Sequence, residues 1–281
     1  MKIETTKDCI IVKDAGHFNL EATLNSGQTF RYQQKNDTWI VQSGNEVAKI
    51  KQIDAKNYKI YTKNPKYFVN YFDFETDYDI IIKKLERFDF LKDALKFSKG
   101  IRILKQEPFE TLICFMISAN NHIKRIKKSV GFICEKFGKP LEDGLFAFPT
   151  PKELGKITED DLISSGVGYR APYMFRSIQT LKNGYNFERL TKMSADEASA
   201  ELQKFEGVGP KVADCVLLFG LGHKKVFPVD TWIAKVYNEL FGKENDRVKM
   251  RKRLIGTFGE LSGIAQQYLF YYKREKEKLG E

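Results

Sequence analysis

The chain lacks any run of about 18 apolar residues, so the sequence predicts no membrane-crossing helix. It also lacks the apolar core of a signal peptide: the first residues, MKIETTKDCIIVKD, are acidic where that core would lie. Cysteine is scarce. Cys9, Cys114, Cys134 and Cys215 are too widely spaced for a zinc knuckle and form no obvious disulfide framework. Reduced thiols in a cytoplasmic protein are the expectation. There is no internal repeat. The one low-complexity stretch is the charged end KREKEKLGE, which reads as a solvated helix terminus.

What the chain has is bulk and positive charge. Its 281 residues suffice for a substantial core spread over two or three lobes, and 42% hydrophobic with 13% aromatic residues is the composition of a folded protein. The net charge is +10 and the pI near 9.2. Excess lysine and arginine suit a polyanion, because cationic side chains displace counterions from phosphate. A lysine-rich surface without such a partner fits the charge equally well.

Two regimes follow one another. In the first sixty residues, short apolar or β-branched runs recur at Cys9–Val12, Thr29–Gln33, Trp39–Gln42, Glu46–Ile50 and Tyr58–Thr62. Polar breaks between several of them predict an antiparallel meander. From Pro65 the period becomes helical: Tyr78–Leu85, Phe90–Phe97, and nearly everything after Pro108. Pro108 opens a helix that ends at Ser118–His122, and a second helix runs to Phe137 with Gly138 as its terminator. Thr158–Asp161 is a capping start; Val167–Arg170 is a turn leading into a helix over Ala171–Lys182. Asp246–Phe258 and Ser262–Lys278 are the last two helices. The expected fold class is α+β, with a β-rich unit at 1–107 and a helical unit at 108–281.

The chemistry concentrates at about 202–236. Gly207-Val208-Gly209-Pro210 is a tight hairpin whose amides, with those of the next helix start, form an anion site without side-chain charge. Lys211 opens the following helix, where the positive dipole end disfavours an ammonium and favours a neutral, nucleophilic amine. Asp230 stands 19 residues later, before another helix. Taken singly, the hairpin is an ordinary helix–helix turn, Lys211 a phosphate-contacting surface lysine, and Asp230 an N-cap worth about 1 kcal/mol.

Taken together at this spacing, they resemble the helix-hairpin-helix, Gly/Pro…Asp superfamily of DNA glycosylases. The resemblance extends over nearly the whole chain to its 8-oxoguanine DNA glycosylase/AP lyase family. It rests on Ser26-Gly27-Gln28-Thr29-Phe30-Arg31, Ser118-Ala119-Asn120-Asn121-His122-Ile123-Lys124-Arg125, Gly168-Tyr169-Arg170-Ala171 and Gly263-Ile264-Ala265-Gln266-Gln267-Tyr268-Leu269-Phe270, in family order. Tyr32 stands where the first motif usually has tryptophan, Trp232 where eukaryotic members carry histidine, and His122 where many relatives have asparagine.

That resemblance implies a twisted antiparallel sheet domain followed by two all-helical lobes around a cleft. It implies a bifunctional repair enzyme whose partner is double-stranded DNA containing 8-oxoguanine, opposite cytosine, with no membrane and as a monomer. If the source is bacterial or archaeal, the enzyme would be nucleoid-associated. Lys211 would attack C1′ and Asp230 would stabilise the sugar cation. Gly27, Cys215, Gln266 and Phe270 would hold the flipped base, the Gly27 carbonyl accepting from N7–H of the lesion. Asn120, Arg125, Tyr169, Arg170, Gly207, Val208 and Gly209 would contact DNA. No cofactor and no metal is implied. Without the resemblance, Asn120 reads as a cap, Tyr169 as packing, the arginines as surface, Gly27 as a turn residue, Gln266 as a polar helix face, and Phe270 and Cys215 as core. Endonuclease III-like enzymes and adenine glycosylases need four cysteines after the motif, and none follows Cys215. A monofunctional alkylpurine glycosylase would lack Lys211. A non-catalytic helix-hairpin-helix DNA-binding module remains the reading from a different class.

Overall fold

The structure, a computed structural model, describes residues 1–280; Glu281, the last residue of the charged end, lies outside the described residues. Strands β1 (Lys2–Thr5), β2 (Cys9–Lys13), β3 (Tyr32–Lys35), β4 (Thr38–Ser43), β5 (Glu46–Asp54) and β6 (Asn57–Thr62) form one antiparallel sheet of order β1-β2-β6-β5-β4-β3. Strands β3 to β6 make the expected meander, and the β1–β2 hairpin adds to it beside β6. Alternation sets the inner face: Ile10, Val12, Ala48, Ile50, Tyr58 and Ile60 are buried, against exposed Lys13, Lys49 and Lys51. Helix α2 (Pro65–Tyr71) closes that core with Phe68 and Tyr71.

Helices α1 (Leu20–Asn25), α3 (Tyr78–Leu85) and α4 (Lys92–Phe97) join the sheet to the helical body. The body comprises α5 (Pro108–Ser118), α6 (Ile123–Phe137), α7 (Pro151–Leu154), α8 (Glu159–Ser164), α9 (Ala171–Leu181), α10 (Glu188–Thr191), α11 (Ala195–Leu202), α12 (Pro210–Gly220), α13 (Thr231–Phe241), α14 (Arg247–Phe258) and α15 (Ser262–Leu279). Its core is larger than that of the sheet and takes in Ile82, Leu85, Leu91 and Leu95 as well. Among the described residues no helix is long and apolar enough to cross a membrane. All four cysteines are free and buried.

Sequence expectation and structure part at identifiable points. Of Thr29–Gln33 only Tyr32 and Gln33 are strand, since β3 begins at Tyr32. Gln28–Arg31 is instead a buried connection bonded mainly through Gln28: the Arg102 carbonyl accepts from Gln28 Nε2 at 2.8 Å, the Leu104 N–H donates to Gln28 Oε1 at 2.8 Å, and Gln106 Nε2 donates to the Gln28 carbonyl at 2.7 Å, while the Gln42 N–H donates to the Arg31 carbonyl at 2.9 Å. Burial without a ladder mimics a strand in sequence. Arg31 is likewise interior, paired with Glu110 at 3.2 Å. Strand β1 is polar and exposed and gives no apolar signal. The stretch at Phe90 is a 3-10 turn, Asp89–Leu91, before α4. Nor is the charged end wholly solvated: Arg274 is 5% exposed.

Gly138 does terminate α6, but not by a left-handed cap, since its φ is −83° and its ψ 157°. Space requires it. A Cβ there would lie 1.9 Å from the Ala147 carbonyl oxygen and 2.6 Å from that of Cys134. Gly138→Ala should therefore cost about 1–3 kcal/mol in Tm-derived stability, whereas Gly256→Ala, mid-helix in open space, should be neutral or gain up to about 1 kcal/mol.

Candidate active site

Helices α5, α12 and α15, the segment before α13 and the turn at Gly27 converge on one small cavity of ≈ 40 Å³. It is lined by Gly27, Phe115, Lys211, Cys215, Phe219, Pro228, Asp230, Gln266, Gln267 and Phe270. The structure thus brings together all six residues that the sequence assigns to catalysis and base binding. They come from three regions of the chain, and two of them, Lys211 and Cys215, are one helical turn apart on α12.

Helix α12 is held firmly. Asp214, fully buried, takes a bidentate fork from Arg251 of α14, Nε to Oδ2 at 2.7 Å and Nη2 to Oδ1 at 3.0 Å. Pro210 occupies its first turn and Gly209 its N-cap, with no side-chain cap. The outward amides of that turn are left for an anion. Gly207 has φ +80°, the left-handed turn the hairpin needs, and Val208 fills the core beneath it. Gly209 has nothing within 4 Å of its missing Cβ, so another molecule can approach its backbone.

Lys211 reaches inward along Phe115, its Nζ 5.0 Å from the ring centroid, and donates to Ser118 Oγ at 3.4 Å. Phe115 stacks on Phe219, so the wall beside the amine is aromatic. Burial pushes the Cys215 thiol up to about 12, which keeps it protonated and apolar beside the lysine. Asp230 caps α13 by accepting from Ile233 N–H at 2.9 Å. Burial raises its carboxyl above the ordinary value; the Ile233 amide and the Lys211 charge work against that rise.

On the far wall, Gln266 is 4% exposed and its Oε1 has no hydrogen-bond partner. The Gly27 turn packs against the same helix, α15. The carbonyls around it are occupied: Asn25 accepts from Arg274 Nη2, Ser26 from Gln267 Nε2 at 2.6 Å, and Gln28 from Gln106. No described donor reaches the carbonyl of Gly27. Gly27 has φ +78°, so the backbone alone demands glycine, and a Cβ would also meet Phe270 Cε1 at 3.2 Å. The ring of Phe270 therefore rests against this turn.

Outside the cavity, Asn120 is exposed in a left-handed conformation, φ +50°, two residues beyond Ser118. Tyr169 is 59% exposed and Arg125 is exposed on α6. Arg170 differs from its sequence assignment as a DNA contact: it is 6% exposed. Its guanidinium donates to the carbonyls of Ala119, Asn120 and Val167, so in this state it holds the Asn120 loop. Tyr169 packs over that guanidinium at 4.4 Å, and Tyr173 links Tyr169 to Gly207. The surface residues thus form a continuous strip from Asn120 to the hairpin. Asn121 turns back to the Ile117 carbonyl at 3.1 Å and closes α5.

Phe115, Phe219, Pro228 and Gln267 are cavity residues to which sequence reasoning gives no role. The two phenylalanines look like core, and nothing in their spacing separates them from it. Among the described residues there is no cluster of three or more His, Cys, Asp or Glu fit to hold a metal.

Comparison with known proteins gives this geometry a lineage. Residues 10–112 match the family model described as 8-oxoguanine DNA glycosylase, N-terminal domain, and residues 113–258 that of the HhH-GPD superfamily base excision DNA repair protein. A probable N-glycosylase/DNA lyase of Methanothermobacter thermautotrophicus is 33% identical over 219 residues, covering 66% of this chain and 69% of its own. The Clostridium acetobutylicum 8-oxoguanine glycosylase/lyase, solved with double-stranded DNA containing cytosine opposite 8-oxoG, is 40% identical, covers 99% of both chains and superposes with a TM-score of 0.93. MBOgg1, solved with a low-affinity DNA ligand, is 36% identical over 98% of this chain and 99% of its own, with a TM-score of 0.92. A sheet domain and a helical body that each match their own family model, joined in one cavity, place the chain in the 8-oxoguanine glycosylase/lyase family of the HhH-GPD superfamily.

Proposed function

We propose that the protein flips 8-oxoguanine out of duplex DNA, excises it, and nicks the strand through a Schiff base. The observation that carries this reading is the cavity itself, which Lys211 and Asp230 line together with Gly27, whose carbonyl no described donor reaches, and Gln266, whose Oε1 has no partner. An N-glycosidic bond cannot be reached inside the stack, so the nucleotide must leave it. Asn120 and Tyr169, on the exposed strip, are the groups to fill the gap, with Arg125 beside the estranged base. The hairpin amides would take a phosphate.

In the cavity, the Gly27 carbonyl accepts from N7–H, a hydrogen that the lesion has and guanine lacks. Guanine would set its own N7 lone pair against that carbonyl. Gln266 Oε1 accepts from the Watson–Crick edge of the purine, and Phe270 stacks on its face. The Lys211 amine attacks C1′. The C1′–N9 bond breaks with its electron pair going to the base, which leaves protonated. Asp230, as a carboxylate, stabilises the positive sugar. Opening of the C1′–O4′ bond gives the imine, the two amine protons passing to the departing base and to O4′. Loss of a C2′ proton then expels the 3′ phosphate by β-elimination.

Lys211→Gln should bind lesion duplex but show no excision and no borohydride cross-link. Full cross-linking by this variant would remove Lys211 from the mechanism, and lesion binding without any excision by the unaltered protein would leave a DNA-binding module.

Asp230 carries a pH signature. Its carboxyl is raised in the fold, so the native state holds more protons between the ordinary and raised values, and stability falls as pH rises through that window. Asparagine keeps the helix cap and has no charge to desolvate. Asp230→Asn should therefore melt above the unaltered protein at pH 7, with the gap closing toward about pH 4, while excision drops by about 100-fold or more. A lower Tm at pH 7, or an unchanged excision rate, would contradict this assignment.

Gln266→Met should remove a buried acceptor that has no partner. The fold should gain up to about 1 kcal/mol while 8-oxoguanine affinity falls about tenfold. Affinity for an abasic-site analogue, which puts no base in the cavity, should stay within about twofold of the parent.

A further inference from the structure

Arg274 lies in the charged end of the chain, yet it is buried beside the base cavity. Two of its nitrogens are engaged: Nη2 donates to the Asn25 carbonyl, and Nε to Glu275 Oε1 at 2.8 Å. The third, Nη1, is buried without any hydrogen-bond partner. It lies 3.0 Å from the point a Cβ on Gly27 would occupy. The edge of the Phe270 ring shares that spot, and the guanidinium sits 5.0 Å from the centroid of the same ring. A buried guanidinium N–H without an acceptor is costly, so its persistence beside a ligand cavity calls for a ligand.

The cavity, at ≈ 40 Å³, is too small for a purine while Phe270 rests on the Gly27 turn. Admitting a base requires the ring to move off that turn, which uncovers Nη1. If the Gly27 carbonyl accepts from N7–H, the atoms flanking N7 on the same edge of the base are the oxygens O6 and O8. Both are acceptors. We propose that Arg274 Nη1 donates to one of these flanking oxygens, making Arg274 a substrate-contacting residue that reads the base together with Gly27. The inference rests on the base-recognition reading above and adds a charged donor to it. Gln266 Oε1 and Arg274 Nη1, the two orphaned groups of α15, then meet opposite edges of one purine: an acceptor for its N–H side and a donor for its oxygen side.

The test uses the full-length chain in single-turnover excision and in binding titrations. The duplexes carry 8-oxoguanine, 2-amino-8-oxopurine (no oxygen at C6), 8-thioguanine (sulfur in place of O8) or an abasic-site analogue. The unaltered protein should lose about tenfold or more on one of the two altered bases. Arg274→Met should lose a similar factor on 8-oxoguanine and show no further loss on that same base. Its affinity for the abasic analogue should stay within about twofold of the parent. Arg274→Lys keeps a charge in the same space and permits the same comparison should the methionine variant not fold. Equal handling of 8-oxoguanine and both altered bases by the unaltered protein overturns the proposal without any variant. Additive losses, or equal losses on 8-oxoguanine and abasic DNA, reduce Arg274 to a scaffold for the turn. An unaltered protein that excises 8-oxoguanine no faster than guanine refutes the proposed function instead.

Discussion

The base cavity depends on the hydrogen bonding of one turn. Residues Asn25 to Gln28 present four carbonyls in succession, and three are consumed by side chains from elsewhere: Arg274, Gln267 and Gln106. The Gln267 bond spans 241 residues of sequence and the Arg274 bond 249. These contacts dock the last helix against the sheet domain and also decide which carbonyl remains available. The positive φ of Gly27 fixes the orientation that makes this arrangement possible.

The same site is where the molecule is least comfortable. Burial raises the Asp230 carboxyl above its ordinary value, and Gln266 Oε1 and Arg274 Nη1 are buried without partners. Each lowers stability by an amount a ligand can restore. The compensation lies close by, in the buried Arg251–Asp214 fork that holds α12 and the stacked pair Phe115–Phe219 beside the lysine. One helix therefore carries a strongly satisfied ion pair at Asp214 and, on the cavity side, Lys211 and Cys215. Adjacent positions face different environments because the 100° step between them turns the side chains apart.

Much of this was legible from residue order. Lys211 and Asp230 mark the starts of two helices, and helix starts leave local signals in caps, proline and glycine. Tyr78–Leu85 and the helices after Pro108 follow their apolar period for the same reason. Gly27, Gln266 and Phe270 are different: their residue types are compatible with turn, surface and core, and only motif resemblance singles them out. What sequence could not show were pairings made at a distance. Thr29–Gln33 looked like one strand because most of it is buried, but only Tyr32 and Gln33 pair along β4, and the preceding Gln28 is bonded to Arg102, Leu104 and Gln106 instead. Arg170 looked like a surface cation, whereas the Ala119 and Asn120 carbonyls that engage it lie some fifty residues away. Arg274 looked solvated because it stands in a run of charged residues.

The resting position of Phe270 has a kinetic consequence. With the ring against Gly27, the cavity-competent form is a fraction f of the free protein, and every base, damaged or not, binds with its apparent dissociation constant multiplied by 1/f. The penalty is uniform, so it leaves ratios between bases unchanged. It does alter which of them occupy the site at all. Undamaged guanines vastly outnumber lesions, and a uniform weakening can carry their affinity below the level at which they hold the enzyme while the lesion stays above it. A side chain that fills its own enzyme's pocket thereby shortens the time spent on the wrong base.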